Sequence, residues 1–280
     1  MLKKAVVSVL NQIPNSEYAV AWLRGPERLE KMNRWQEAFC EWNAQRLKIS
    51  VEESRQRYKS SWESMRGGHR GVFFRFFLTL SNKVYAVFFN DQPSEVFEAY
   101  QFSAPLYFLR YLSYKETKWA SDHPLVQGLR GKTNPVIADF GCGLAQHSIA
   151  LAEQLKDGGA SPRLVLIDIP TMRKDFLAFL CAKLGLAAEL LDSTRAQPLP
   201  ELPAFDALIA TEVFEHLHDP VTYFDAFDAK LAPGGFILTQ IKDHRPELFH
   251  VSPGLKVLRD RFDAKGYVAV IPFVLYRKLL

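Results

Sequence analysis

The chain is 280 residues long, 48% apolar and 24% charged, with a net charge of +4, which suits a soluble enzyme with one large core or two unequal ones. Lys3 and Lys4 precede only a short apolar stretch before Asn11, so no secretory leader is expected. Cys40, Cys142 and Cys181 form no Cys-x-x-Cys pair, which argues against a zinc site or disulfide framework and for a reducing, cytoplasmic setting.

The charge is spread unevenly. Residues 1–130 hold 19 Lys/Arg against 13 Asp/Glu, and residues 131–280 hold 16 against 18. A basic front half suits an anionic substrate, an acidic partner or nucleic acid. From Arg24 to Arg70, however, basic residues alternate with acidic ones as on solvated helices, so a nucleic-acid partner is not expected.

Pro26 to Ile49 places Leu29, Met32, Trp35, Phe39 and Trp42 at helical spacing, with Pro26 in the first turn. A second helix is predicted over Val51–Met65, and Gly67-Gly68 breaks the chain after it. Val72 to Phe89 is densely aromatic, but Arg75, Asn82 and Lys83 interrupt it, so it lacks the ~18 to 20 apolar residues of a membrane span. It reads as a helix followed by a strand, or as a hairpin about Ser81-Asn82-Lys83. Ser94 to Tyr114 reads as a helix or helix pair broken near Pro105, followed by a linker through Pro124 and Lys132 to Pro135. Apolar side chains left on the surface of this front half would mark a homodimer contact.

Val136 to Phe140 is an apolar run suited to a strand covered on both faces, and the glycines of Gly141-Cys142-Gly143 let the backbone turn sharply and approach a ligand. A helix starting near Ala145 then keeps Ala145, Ile149, Ala152 and Leu155 on one apolar stripe. Such a junction suits a nucleotide-like ligand. No Gly-x-x-x-x-Gly-Lys-Ser/Thr stretch is present, which excludes a phosphate loop. The dinucleotide fingerprint fails at its third glycine, where Gln146 would crowd a pyrophosphate. A second strand, Arg163–Asp168, ends in an acid placed to accept hydrogen bonds from both hydroxyls of a ribose. A third, Ala187 to Leu191, runs into Asp192-Ser193, where a carboxylate suits an adenine amino group, and a fourth, Phe205 to Thr211, ends at Glu212.

In order, Asp139-Phe140-Gly141-Cys142-Gly143, Asp168, Asp192, the run from Phe205 to Pro220, and Leu231-Ala232-Pro233-Gly234-Gly235-Phe236 resemble five motifs of class I S-adenosylmethionine-dependent methyltransferases over residues 135–280. The group most resembled is the type 11/12 methyltransferases, similar to O-methyltransferases of ubiquinone biosynthesis in the spacing Glu212-x-x-Glu215-His216. Residues 1–130 read, from their own helical and aromatic pattern, as a mainly helical substrate or lid region in which most aromatics fill a core and a few line the acceptor pocket. For residues 131–280 the resemblance implies an α/β fold with a Rossmann-like doubly wound seven-stranded sheet. It implies S-adenosylmethionine as cofactor, held by Asp139, Gly141, Cys142, Gly143, Asp168, Ile169, Asp192, Ser193 and Thr211. Leu144 and Ala145 stand where the family often has a small polar residue and a third glycine, and their extra methyl groups are expected to narrow the methionine end of the pocket.

His216, Glu212 and Glu215 are the catalytic candidates. They follow the fourth strand, and an imidazole has the intrinsic pKa to take a proton from a hydroxyl or amine. The resemblance to ubiquinone methyltransferases also brings in a divalent cation on Glu-x-x-Glu-His, but capping of the turn is the favoured role and no metal is expected. His147 is expected to be a solvent or packing residue. The expected reaction moves a methyl group to an oxygen or nitrogen of a small, anionic organic acceptor. An RNA or protein methyltransferase is one rival, lacking here the Asn/Asp-Pro-Pro-Tyr/Phe tetrapeptide of many base-amine methylases; a non-catalytic binding module with a degenerate cofactor site is the other. The chain closes with a strand over Phe236–Ile241, a helix over Pro253–Lys265 stopped by Gly266, and strands over Tyr267–Ile271 and Phe273–Tyr276. The resemblance implies that the terminal strand lies antiparallel beside the fifth.

Overall fold

A computed structural model of the chain describes residues 32–66, 112, 117–243, 250–252 and 254–279. The expectations for Pro26, Gly67-Gly68, Val72–Phe89 and most of Ser94–Tyr114 lie outside the described residues. The described residues fall into two units, 32–66 with 112, and those from 117 onward.

In the first unit, α1 (Arg34–Leu47) packs on α2 (Val51–Arg66). The start of α1 corrects the predicted helix over Pro26–Ile49. Asn33 Oδ1 accepts from the Gln36 N–H at 2.9 Å, and Gln36 Oε1 accepts from the Asn33 N–H at 2.9 Å. This reciprocal capping box fixes the first turn at Asn33, overriding apolar spacing that continues upstream. Trp35, Phe39 and Trp42 are buried as their spacing predicts. Tyr58 of α2 meets Phe39 with ring centroids 5.6 Å apart and accepts from Gln36 Nε2 at 3.0 Å.

The second unit is built on a seven-stranded sheet: β1 (Val136–Phe140), β2 (Arg163–Asp168), β3 (Ala187–Asp192), β4 (Phe205–Ala210), β5 (Leu231–Thr239), β6 (Tyr267–Ile271) and β7 (Leu275–Lys278), in the spatial order β3-β2-β1-β4-β5-β7-β6. The first five strands are parallel, and β7 runs antiparallel between β5 and β6. This is the doubly wound α/β architecture expected, including the antiparallel strand beside the fifth. From β1 the chain steps outward through β2 to β3, then returns to lay β4 and β5 on the other side. Ligands of open α/β sheets bind beyond the carboxyl ends of the strands at such a reversal.

Between the strands lie α4 (Gln146–Asp157), packed on β1 and β2, and α5 (Arg173–Leu184), packed on β3. Following β4, α6 (Pro220–Lys230) packs on α7 (Lys256–Ala264), which also touches β6. The aromatic core on this side includes Phe140, Phe214, Phe224, Phe227 and Phe262, with Phe224 and Phe262 stacked at 4.1 Å.

Four predicted boundaries are corrected. The expected linker contains α3 (Pro124–Leu129), because His123 Nδ1 accepts from the Leu125 N–H at 3.2 Å, Pro124 suits the first turn, and Leu125, Val126 and Leu129 are buried. β5 starts at Leu231 rather than Phe236, because an irregularity in its ladder with β4, between Phe205 and Ala207, absorbs the Pro-Gly-Gly residues. β7 starts at Leu275, since Phe273 takes a left-handed φ of 64° in the preceding turn. α7 starts at Lys256, where the N–H of the preceding Leu255 donates to Asp243 Oδ1 at 2.9 Å. Among the described residues no helix is long and apolar enough to cross a membrane.

Candidate active site

The Gly141 and Cys142 N–H groups both donate to Ile167 O, at 2.8 and 3.1 Å, so the chain leaving β1 folds over the end of β2. Gly141 and Gly143 have φ of +68° and +55°. A Cβ at Gly141 would meet Val213 Cγ2 at 2.6 Å, whereas at Gly143 the nearest atom would be Arg173 Nη1 at 3.8 Å. The first glycine is therefore demanded by packing against the segment after β4, and the second leaves bare backbone facing the cleft. Ala145 is also left-handed, at φ 54°, which is the physical reason a glycine suits that position. Leu144 and Ala145 are both buried and are not among the residues that line the cleft beside Asp168 and Asp192.

The cleft beside this turn is lined by Cys142, Gly143, Asp168, Ile169, Arg173 and Asp192 among others. Asp168 and Asp192 are register partners at the ends of β2 and β3. The Asp168 carboxylate accepts from the Gly143 N–H at 2.6 Å, the Ile169 N–H at 2.7 Å and Arg173 Nη2 at 3.2 Å. Asp192 Oδ2 accepts from Lys174 Nζ at 2.8 Å, while its Oδ1 is buried and has no hydrogen-bond partner among the described residues. A buried acceptor without a donor costs about 1–3 kcal/mol, and a ligand amino group would satisfy it.

Not every predicted binding residue reaches this cleft. Asp139 is buried and accepts from Ser148 Oγ at 2.6 Å. Burial pushes its carboxyl up to about 7, opposed by the Ser148 hydrogen bond and reinforced by the nearby Asp168 charge. It thus ties β1 to the first turn of α4. Ser193 braces the loop instead, its N–H donating to Asp168 O at 2.9 Å and its Oγ to Pro198 O at 2.6 Å. Gly141 and the half-buried Thr211 also stand off the cleft lining. Cys142 does line it, and burial pushes its thiol well above the ordinary 9.0. His147 lies at the surface, its backbone oxygen accepting from Trp119 Nε1 at 3.0 Å.

Beyond β4 the chain makes a 3₁₀ turn over Phe214–His216. Glu212 is exposed with φ 55°, while Glu215 is fully buried at 0% exposure. His216 Nε2 lies 3.8 Å from Glu215 Oε1, and the His216 ring sits 4.9 Å from that of His250. One ligand atom from each of Glu215, His216 and His250 lies within 4.8 Å of the others, so His250, not Glu212, completes the cluster. Ser252 ties the segments together: its N–H donates to Glu215 O at 3.0 Å and its Oγ to Leu217 O at 2.6 Å.

Sequence reasoning missed Arg173, Lys174, Ser148 and His250. A signal existed for the first two. Cations at the first positions of a helix sit at the positive end of its dipole, and so call for acidic partners, here Asp168 and Asp192.

Residues 111–263 match the profile of a protein family described as "Methyltransferase domain". Among solved structures, the chain is similar to a SAM dependent methyltransferase from Aquifex aeolicus, at 14% identity over 57% of this chain and 95% of that one, with a TM-score of 0.40. It is also similar to precorrin-6y C5,15-methyltransferase from Geobacter metallireducens GS-15, at 18% identity over 51% and 69%, with a TM-score of 0.37. No curated protein matched the chain.

Proposed function

The chain belongs to the methyltransferase-domain family, matched over more than half its length, and from that premise we propose that it methylates an oxygen or nitrogen of a small organic acceptor. It is an S-adenosylmethionine-dependent methyltransferase. The finer reading is an O-methyltransferase similar to those of ubiquinone biosynthesis, acting in the cytoplasm, with residues 1–130 selecting the acceptor and the basic front half favouring an anionic one.

One observation carries the site assignment: two acids in register, Asp168 and Asp192, share a cleft with Cys142 and Gly143, and Asp192 Oδ1 has no donor among the described residues. In this reading Asp168 holds the ribose hydroxyls, Asp192 the adenine amino group, and the bare backbone at Gly143 lets the nucleoside approach. When bound, S-adenosylmethionine supplies an electrophilic methyl group on a sulfonium. The protein aligns the acceptor, excludes water and removes a proton. The His216 imidazole takes that proton from the acceptor's hydroxyl or amine, with the buried Glu215 carboxylate, 3.8 Å from Nε2, stabilising the imidazolium.

Isothermal titration with S-adenosylhomocysteine tests the seat. Asp168→Ala is expected to weaken binding by roughly 10- to 100-fold; wild-type affinity in that variant would remove Asp168 from the site. Methyl-labelled cofactor tests the acceptor class: label should enter small phenolic, carboxylated or amine acceptors. Label recovered only in RNA or protein would replace this reading with a macromolecular substrate, marked by steep salt dependence in the case of RNA.

A further inference from the structure

Asp168 is nearly saturated before any nucleoside arrives. An ionised carboxylate offers about four acceptor positions. Oδ2 accepts from the Gly143 N–H, and Oδ1 accepts from the Ile169 N–H and from Arg173 Nη2. The two amides belong to the glycine turn and to the residue after β2, so they cannot leave without unmaking the cleft. A ribose diol held through both hydroxyls needs two acceptor positions, and one remains.

We infer that Arg173 is a latch on the sugar-binding acid: its guanidinium competes with the nucleoside hydroxyls for Asp168, lets go when the cofactor seats, and hastens departure of the demethylated product when it returns. This rests on the reading of Asp168 as the ribose acid. The latch is built into the site. Arg173 is 8% exposed, and its Nε–H donates to Thr171 Oγ1 at 3.1 Å. That contact holds the planar guanidinium against Asp168, so releasing the carboxylate means swinging the whole group, Nε included, away from Thr171. The fork reaches from the end of β2 towards the glycine turn, with Nη1 3.8 Å from where a Cβ at Gly143 would stand.

The neighbouring ion pair serves as an internal contrast. Lys174 binds Asp192 through Oδ2, but Oδ1 is left for an amino group. Adenine can be received without displacing Lys174, and that pair is more than a third exposed on both sides, where such pairs contribute little. Of the two described cations on these acids, Arg173 is the one that occupies a position a ligand group needs.

Titration with S-adenosylhomocysteine, which binds without turning over, is the test. Arg173→Met keeps the stem and removes the donors; it is expected to bind roughly tenfold tighter than wild type and to release the ligand more slowly. Thr171→Val, which loosens the anchor without touching Asp168, should shift affinity the same way by about two- to threefold, and it keeps the test open if Arg173→Met fails to fold. The thermal midpoint without ligand checks folding, and the ligand-induced rise should be larger in both variants. Equal or weaker binding in both folded variants, with Asp168→Ala still defective, would overturn the latch; weaker binding would make Arg173 a ligand contact, and equal binding a structural ion pair. Wild-type affinity in Asp168→Ala would overturn the latch together with the ribose seat.

Discussion

The carboxyl rim of the sheet has two halves that handle their acids differently. On the β1–β3 side, both acids lining the cleft face a permanent cation: Asp168 meets Arg173 at 3.2 Å and Asp192 meets Lys174 at 2.8 Å. Beyond β4, the buried Glu215 faces imidazoles, with His216 Nε2 3.8 Å away and His250 beside it. Guanidinium and ammonium groups keep their protons near neutral pH, whereas an imidazole exchanges its own there. In the proposed function, the first half holds the ligand and the second moves a proton. Val213 against Gly141 is the seam between them.

The largest expected effect breaks the second half alone. His216→Asn should lower kcat by roughly 10²- to 10⁴-fold, flatten the pH dependence near neutrality, and leave S-adenosylhomocysteine affinity unchanged by titration. Retention of both the rate and the pH profile would reduce the imidazole cluster to a packing device. The next effect strikes the seam. Gly141→Ala places a Cβ 2.6 Å from Val213 Cγ2 at a backbone φ of +68°, and should cost about 2–4 kcal/mol in urea unfolding. Adding Val213→Ala should restore the packing share but not the backbone share. A loss below about 0.5 kcal/mol in Gly141→Ala would mean that the two halves are not rigidly joined.

The same contrast explains what the sequence made legible. Strands β1 and β2 and the positions of Asp168 and Asp192 follow from local pattern: an apolar run, a glycine turn, an acid where the run stops. His250 lies beyond β5, 34 residues from His216 in the sequence, and no local period marks it as that residue's neighbour. Glu212 is a candidate from its spacing and its place at the end of β4, and there its left-handed φ leaves it exposed while Glu215 turns inward. The start of α1 and the helix at Pro124 were missed although their signals are short-range, because capping by Asn33 and His123 competes with apolar periodicity and wins at helix ends. Arg173 carried a local signal, a cation at the start of a helix that follows a strand-end acid, but its competition for Asp168 depends on how many acceptor positions that carboxylate has left, which only coordinates can show.

Asp139 is the exception on the first half, since its partner is the Ser148 hydroxyl rather than a cation. Burial raises its carboxyl from 3.8 to about 7. Between those values the unfolded chain has lost the proton while the folded one keeps it, so raising the pH through that window costs stability, up to about 1.4 kcal/mol per unit. Asp139→Asn should remove this share of the slope, bringing the urea midpoints at pH 5.5 and 7.5 closer together than in wild type. An unchanged difference between those midpoints would show that Asp139 is ionised in the folded protein and needs a cationic partner after all.

The smallest expected effect concerns an imidazole used in the opposite way to His216. His123 caps α3 by accepting a hydrogen bond from the Leu125 N–H at Nδ1, so the cap requires the neutral ring. Burial holds its pKa below 6.5, opposed by Asp122. As pH falls through 6.5 the unfolded chain takes a proton that the folded cap refuses, so this contribution is present above that value and lost on acidification. His123→Ala should cost about 0.5–2 kcal/mol at pH 7.5, and less at pH 5. His123→Asn retains a capping oxygen without a titration, so its stability relative to wild type should rise between pH 7.5 and 5. If instead His123→Ala and wild type lose stability in parallel over that interval, the ring is protonated while still packed against Trp119, 4.7 Å between centroids, and the first turn of α3 is held by Pro124 rather than by the cap.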